Sequence, residues 1–232
     1  MPKNLILLSG GAADGLVTAL APGFRAETGV DVQGTFGAVG AMREKLRAGE
    51  AADLVILTRP IVDELSEAGI VERDSVRDIG IVRTAIAVRA GDPVPRVATA
   101  DELRAALLAA DEIHFPDPAL ATAGIHFARV LDRLGIAKEV APALRSHPNG
   151  ATAMRAMAAS DAKVPIGCTQ VTEIIIIPGA RLIAALPEGL GLATTYTAAV
   201  VNGAPNAALA QSFVHRLTAA DSAEQRRHAG FE

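Results

Sequence analysis

The sequence predicts an α/β fold in two lobes, each a mainly parallel sheet flanked by helices. Three observations carry this expectation. Short apolar runs of strand length alternate with segments whose apolar residues recur at helical spacing. The repeated order strand, loop, helix implies parallel strands with helices on both faces. One run, Ile79–Arg89, is far longer than the others and joins two such series.

In chain order, Leu5–Leu8 reads as the first strand. A helix from about Ala13 carries Leu16, Val17, Leu20, Ala21 and Phe24 on one stripe, with Gly29 at its C-terminal cap. Val30–Gln33 is a second strand ended by Gly34, Phe36–Gly40 a loop, and the next helix carries Met42 and Leu46. Asp53–Leu57 is a third strand, after which Pro60 opens a helix from its first turn and Gly69 closes it. Beyond Ile79–Arg89, the box Thr99-Ala100-Asp101-Glu102 opens a helix with Leu103, Ala106 and Leu107. Glu112–Phe115 is a strand, Asp117–Thr122 a loop, and Ile125–Leu134 a helix stopped by Gly135. Lys138–Leu144 reads as helical, His147–Gly150 as a turn, and Ala151–Ala159 as a helix. Val164–Cys168 is a strand followed by a helix over Val171–Ile176. Strands return at Arg181–Ala184 and Thr194–Val201, before helices at Asn206–Leu217 and Ala223–His228. The expected division is a discontinuous first lobe, 1–82 with 172–232, and a second lobe, 83–171, with a ligand cleft between them.

Composition excludes several function classes. The 232 residues suffice to bury a core, and half are apolar, yet aromatics are 3% and Trp is absent, so the core rests on Ala, Val, Leu and Ile. The formal net charge is -4 with no basic stripe, which argues against a nucleic-acid partner. A single cysteine, Cys168, permits no internal disulfide and reads as a small buried apolar residue. The scattered histidines show no metal-ligand spacing, and neither a phosphate-loop lysine nor a dinucleotide glycine motif is present, so no metal or cofactor is expected. No apolar run approaches membrane-spanning length. The Leu5–Leu8 run is too short for a signal-peptide core, so the chain as written reads as cytoplasmic, or as periplasmic if it is a trimmed mature form.

The loops carry the functional expectation. Ser9-Gly10-Gly11-Ala12-Ala13, Phe36–Gly40 with Ala38 and Val39, and Asp117–Gly124 with Thr122 and Ala123 each follow a strand and precede a helix. Asn149-Gly150-Ala151 opens a fourth helix in the same way. Ligands bind open α/β sheets at such strand ends. Helix N-termini offer unpaired N–H groups and a positive dipole end, and small residues let that backbone come close to an anion. Taken singly, each loop also reads as an ordinary helix cap; it is their repetition that points to a shared ligand. His114 and His147 have no partner near them in sequence and are assigned no role.

The stretches Phe24–Val32, Phe36 through Leu54, Asp117-Pro118, Ala123-Gly124-Ile125, Pro165-Ile166-Gly167 and Gly230-Phe231 resemble the molybdate-type family of solute-binding proteins, which have the type II periplasmic-binding-protein fold. The resemblance implies side-chain ligand positions near Ala12 or Ala13, at Val39 and at Gln170, and backbone contacts at Ala123 and Ala151. Two family serines and a tyrosine are thus replaced here, which argues against molybdate but leaves a backbone cradle intact. Thr122–Ala128 and Gly167–Glu173 are similar to the branch that includes aconitate isomerase.

Arg83 interrupts an apolar strand at the crossover the resemblance implies. It serves either to grip a carboxylate with two parallel hydrogen bonds or to form a hinge salt bridge. His126 is either a donor, acid or base at the ligand or a structural histidine, and Gln170 is either a directional donor or a solvated helix start. The function expected is binding of a small anion, an organic di- or tricarboxylate or a tetrahedral oxyanion, by a monomer that delivers it to a membrane transporter if exported. The alternative is an isomerase that shifts a double bond beside a carboxylate, with His126 or Glu173 as the base.

Overall fold

The structure is a computed structural model that describes residues 4–232; Met1–Lys3, which open the first expected lobe, lie outside the described residues. In chain order the elements are β1 (Asn4–Gly10), α1 (Asp14–Thr28), β2 (Asp31–Gly37), α2 (Val39–Arg47), β3 (Leu54–Thr58), α3 (Arg59–Glu67), β4 (Arg77–Arg89), α4 (Ala100–Leu108), β5 (Glu112–Pro116), α5 (Thr122–Arg133), α6 (Ala137–Val140), β6 (Leu144–His147), α7 (Gly150–Ala158), β7 (Pro165–Gln170), α8 (Val171–Ile175), β8 (Ala180–Ala185), β9 (Ala193–Val200), α9 (Ala207–Thr218) and α10 (Ala223–His228). They form two compact units: residues 4–82 with Thr194–Glu232, and Arg83–Ala193.

In the first unit β1 pairs in parallel with β2 and with β3, and β3 pairs antiparallel with β9. β3 is buried along its whole length, because a strand covered on both faces needs a continuous apolar run. At the edge, β2 is mostly half-buried or exposed. The expected stripe of α1, Leu16, Val17, Leu20 and Phe24, is buried, and Phe24 meets Phe213 of α9 edge-on at 5.0 Å. Gly29 takes a left-handed conformation, φ 71°, and its N–H donates to Arg25 O at 2.8 Å, which ends the helix as expected. Asp53 fastens the start of the sheet. Its buried carboxylate accepts from Ile6 N at 2.8 Å and from Asn206 N at 3.1 Å, tying β1, β3 and the entry to α9.

In the second unit β5 pairs in parallel with β6 and β7, and β4 pairs antiparallel with β7 and β8. One cluster packs Leu103, Phe115, Phe127, Val130 and Ile166; another packs Met154, Met157 and Ile174. The anticipated box at α4 forms in half: Thr99 Oγ1 accepts from Glu102 N at 3.2 Å, but the Glu102 carboxylate accepts from Ala98 N, one residue before the cap, at 3.0 Å. Cys168 is fully buried, and burial pushes its thiol pKa up, away from reactivity.

Three local expectations need correction. The helix expected over Lys138–Leu144 ends at Val140, and Leu144–His147 is a strand, because β5 offers it a parallel partner from Ile113 to Pro116. Gly34 does not end β2. The strand runs on to Gly37, held beside β1 through the Gly10 and Gly37 pair, with the Phe36 ring lying over the bare Gly34 backbone. Residues 172–193, expected in the first lobe, pack within the second unit, where β8 pairs with β4. No helix of the described residues is long and apolar enough to cross a membrane.

Candidate functional site

In the first unit the parallel strands β1, β2 and β3 all end at one edge of the sheet. Ser9 lies beside Phe36 and Ile56, and Gly10 beside Gly37. From that edge start the buried 3-10 turn Gly11–Ala13, α2 after Ala38, and α3 after Thr58. Neither α2 nor α3 has a side-chain cap or an acidic residue in its first turn. Their first-turn amides are therefore left to backbone, water or a ligand. Gly10 is needed for room. A methyl group there would come within 2.7 Å of Val39 Cγ1 and 3.0 Å of Tyr196 Cε1.

Two of the expected residues of this unit are spoken for or shielded. Ser9 is buried and its hydroxyl donates to Gly10 O at 2.9 Å. Val39 is buried against Gly10 rather than offering a polar group. The neighbouring cation is spent as well: Arg59, at the start of α3, bonds Asp63 at 2.7 Å and Asp78 at 3.2 Å, and these carboxylates raise its pKa. What this edge offers an anion is backbone. Tyr196, the only tyrosine of the chain, stands opposite Thr58 on β9 and packs edge-on against Phe231 at a centroid distance of 6.3 Å. Sequence reading passed it over; its uniqueness was the available signal.

In the second unit the parallel strands β5, β6 and β7 end at the starts of α5, α7 and α8. Asp117 Oδ1 accepts from Ala119 N at 2.7 Å and Leu120 N at 2.9 Å, which shapes the turn before Thr122 and Ala123. Gly124 lets α5 sit directly on the end of β5, since a methyl group would lie 2.2 Å from Pro116 O. Asn149 caps α7, its Oδ1 accepting from Thr152 N at 2.8 Å. Gly150 and Ala151, the first residues of α7, are buried.

The carboxylate of Glu173 is tucked beneath that first turn. It accepts from Thr169 Oγ1 at 2.6 Å, and a methyl group at Gly150 would fall 2.0 Å from Glu173 Oε2. Gln170 ends β7 and stands opposite Thr84 of β4. Directly opposed residues of a sheet share a face. The Thr84 hydroxyl is fully buried and has no hydrogen-bond partner among the described residues, a feature that calls for a ligand or water. Sequence reading stopped one residue short of it, at Arg83, whose side chain is exposed.

His126 is held away from free acid–base use. Its Nε2 lies 2.7 Å from Leu190 O and donates to it, while Arg133 holds Gly189 O at 2.7 Å, so α5 grips the segment leading to β9. His114 and His147, given no role by the sequence, are partners across β5 and β6. His114 Nδ1 lies 3.1 Å from His147 Nε2, and His114 Nε2 lies 3.0 Å from Glu112 Oε2. Burial lowers the pKa of both imidazoles, while the Ser160 hydroxyl, foremost, and His114 lower that of Glu112. Among the described residues no three His, Cys, Asp or Glu side chains gather to hold a metal ion.

With two sets of strand-end helix starts in place, comparison with known proteins decides the family. The model of the family described as bacterial extracellular solute-binding protein matches residues 5–232. This chain belongs to that family. It is 27% identical to an aconitate isomerase of a Pseudomonas species over 99% of this chain and 87% of that protein. It is 25% identical to the molybdate-binding protein ModA of Escherichia coli over 91% of this chain and 82% of that protein. The structure of the Azotobacter vinelandii periplasmic molybdate-binding protein matches with a TM-score of 0.81 and 18% identity, covering 98% of each chain. The fold of this solute-binding protein is that of the periplasmic binding proteins.

Proposed function

We propose that this protein binds a small anion, an organic di- or tricarboxylate or a tetrahedral oxyanion, at strand-end helix starts. One observation carries the reading. The helices α2, α3, α5 and α7 all begin at the carboxyl ends of parallel strands, and none has an acidic residue in its first turn. Such helix starts present N–H groups and positive dipole ends, which is how a chain of net charge -4 can hold an anion. The loops Gly10–Ala13 and Ala38–Val39 supply backbone donors in the first unit. Thr122–Gly124 and Asn149–Ala151 supply them in the second, with Thr84, Gln170 and Arg83 as side-chain candidates. In this reading the protein acts in the periplasm and passes its ligand to a membrane transporter.

The test is a thermal-shift and calorimetry panel of molybdate, tungstate, sulfate, phosphate, citrate and both aconitate isomers. A ligand at a hundred times its Kd stabilises the folded state by about 2.7 kcal/mol. Substitutions at Ala123 or Ala151 and at Ala38 by bulkier residues should weaken the same ligand. Flat melting curves across the whole panel would remove the proposal.

The similarity to aconitate isomerase over nearly the whole chain favours a second reading, a double-bond shift beside a carboxylate. With His126 Nε2 engaged by Leu190 O, Glu173 is the base this reading requires. Proton NMR of cis- and trans-aconitate in heavy water with the protein separates the two: interconversion with deuterium uptake means turnover, and an aconitate that binds by calorimetry yet keeps unchanged spectra means binding alone.

A further inference from the structure

A chain of hydrogen bonds runs beneath α7 and ties the two ends of that helix together. His114 of β5 stands opposite Gly167 of β7, and a methyl group on Gly167 would strike Met154 and Met157 of α7. Directly opposed residues of a sheet share a face, so the buried His114 ring lies on the α7 side of the strands. Its Nε2 bonds Glu112 Oε2 at 3.0 Å, and the same carboxylate oxygen accepts from Ser160 Oγ at 2.6 Å, just beyond the C-terminus of α7. Its Nδ1 meets His147 Nε2 at 3.1 Å, just before the N-terminus of α7. The carboxylate sets the direction of the chain. Glu112 only accepts, so His114 donates from Nε2, and its Nδ1 is left to accept from His147 Nε2–H. The remaining ring nitrogen, His147 Nδ1, takes a proton with every one of these bonds kept, the hydrogen between the rings then resting on either of them. A second proton would set two N–H groups head to head, so the pair changes by one positive charge. The other charged groups around it are few. Arg145 of β6 lies 3.3 Å from Glu112 Oε1, and Arg89 of β4 is held by Asp92 and by Ser160 O. β7 carries no charged residue, and the one charge of α7, Arg155, is exposed. Glu173 of α8 lies against Gly150.

We propose, resting on the anion-binding reading above, that the His114–His147 pair is a proton-operated control on α7, and that its protonation tightens anion binding at the start of that helix. The added charge sits just before the helix end whose dipole is already positive, so both attract the same guest. The hydrogen bonds to Glu112 and His114 hold it in place, and partial burial shields it from screening by salt. Burial keeps both imidazoles neutral down to below their ordinary pKa of 6.5, so the tightening belongs to acid conditions. Linkage makes the effect reciprocal: an anion that is held better by the protonated pair must itself raise the proton affinity of the pair. Backbone amides alone give no such dependence, because they do not titrate.

The experiment measures by calorimetry every anion of the panel above that binds, from about pH 8 to about pH 5, the range over which histidine titrates. It compares the wild-type protein with His147→Gln, whose amide still donates to His114 Nδ1 but takes no proton. The anion and Glu173 titrate alike in both proteins, so their effects cancel in the ratio of the two affinities. That ratio should widen in favour of the wild type by about 5-fold from the alkaline to the acid end, the lower range of couplings between sites. A second measurement needs no variant: the NMR titration of the His147 ring should move to higher pH when the anion is saturating. A His147→Gln protein weaker by one factor at every pH would overturn the proposal, because that is what a residue that merely shapes the loop would do. So would a His147 titration that the bound anion leaves unmoved. If no anion of the panel binds at any pH, the anion-binding reading itself fails, an outcome distinct from binding that ignores the pair.

Discussion

The two sheet edges are furnished with different chemistry. In the first unit the strand ends are built from Gly10, Gly11, Ala12, Ala13, Ala38 and Val39, and the nearby cation Arg59 is already held by Asp63 and Asp78. That edge can offer amides and little else. In the second unit Asn149 and Gln170 stand at strand ends, Thr84 lies opposite Gln170, and Glu173 sits in the first turn of α8; all are polar and, apart from the half-buried Asn149, deeply buried. Backbone gives an attraction for any anion of the right size; fixed polar side chains discriminate among them. The contrast lies in what each edge presents, mainly backbone in the one and fixed polar side chains in the other.

The contrast can be broken most forcefully at the glycines. Gly124→Ala puts a methyl group 2.2 Å from Pro116 O, a backbone atom that cannot rotate away. It should cost about 3 kcal/mol in urea unfolding, at the upper end for overpacking. Gly10→Ala meets side chains instead, Val39 and Tyr196, which can shift by a few tenths of an ångström. It should cost nearer 1 kcal/mol and weaken anion binding more than it lowers stability. If Gly10→Ala proves the more destabilising of the two, the first edge is not the plain backbone platform described here.

A loss similar to that of Gly10→Ala is expected at Asn149, whose side chain is the cap that the helix starts of the first unit lack. Asn149→Ala should lose about 1 kcal/mol in chemical denaturation. The second unit should also respond to acid. The imidazoles of His114 and His147 have pKa values below the ordinary 6.5, chiefly through burial. The unfolded chain therefore takes up protons first as pH falls. Stability should be full above about 6.5 and decline below it until the lowered folded values are reached. Glu112, lowered from 4.5, adds a second decline starting near that value. A His114→Gln, His147→Gln double variant should flatten the first decline and keep a reduced second step, since Ser160 still lowers Glu112 while His114 no longer does, which denaturation midpoints between pH 7.5 and pH 3 would reveal.

Much of the chain was legible in its letters. The stripe of α1, the caps at Gly29 and Thr99 and the order of strand-end loops all follow from local rules of spacing and capping, so they appear in the sequence as they do in the fold. The extension of β2 and the strand β6 were not legible. Each exists because a partner strand offers it hydrogen bonds, and that partner lies far away in the chain.

The same division holds for the site. Sequence alone determined that small residues and helix starts recur after strands, which is the basis for proposing an anion as the guest. Only tertiary structure decided which side chains furnish those starts. It took α8 to bring Glu173 beneath α7, the pairing of β4 with β7 to set Thr84 beside Gln170, and the pairing of β5 with β6 to join His114 to His147. Local geometry is written into a few consecutive residues. The meeting of residues 23 to 86 positions apart depends on which strands and helices pack together, and the whole chain must fold before that is fixed.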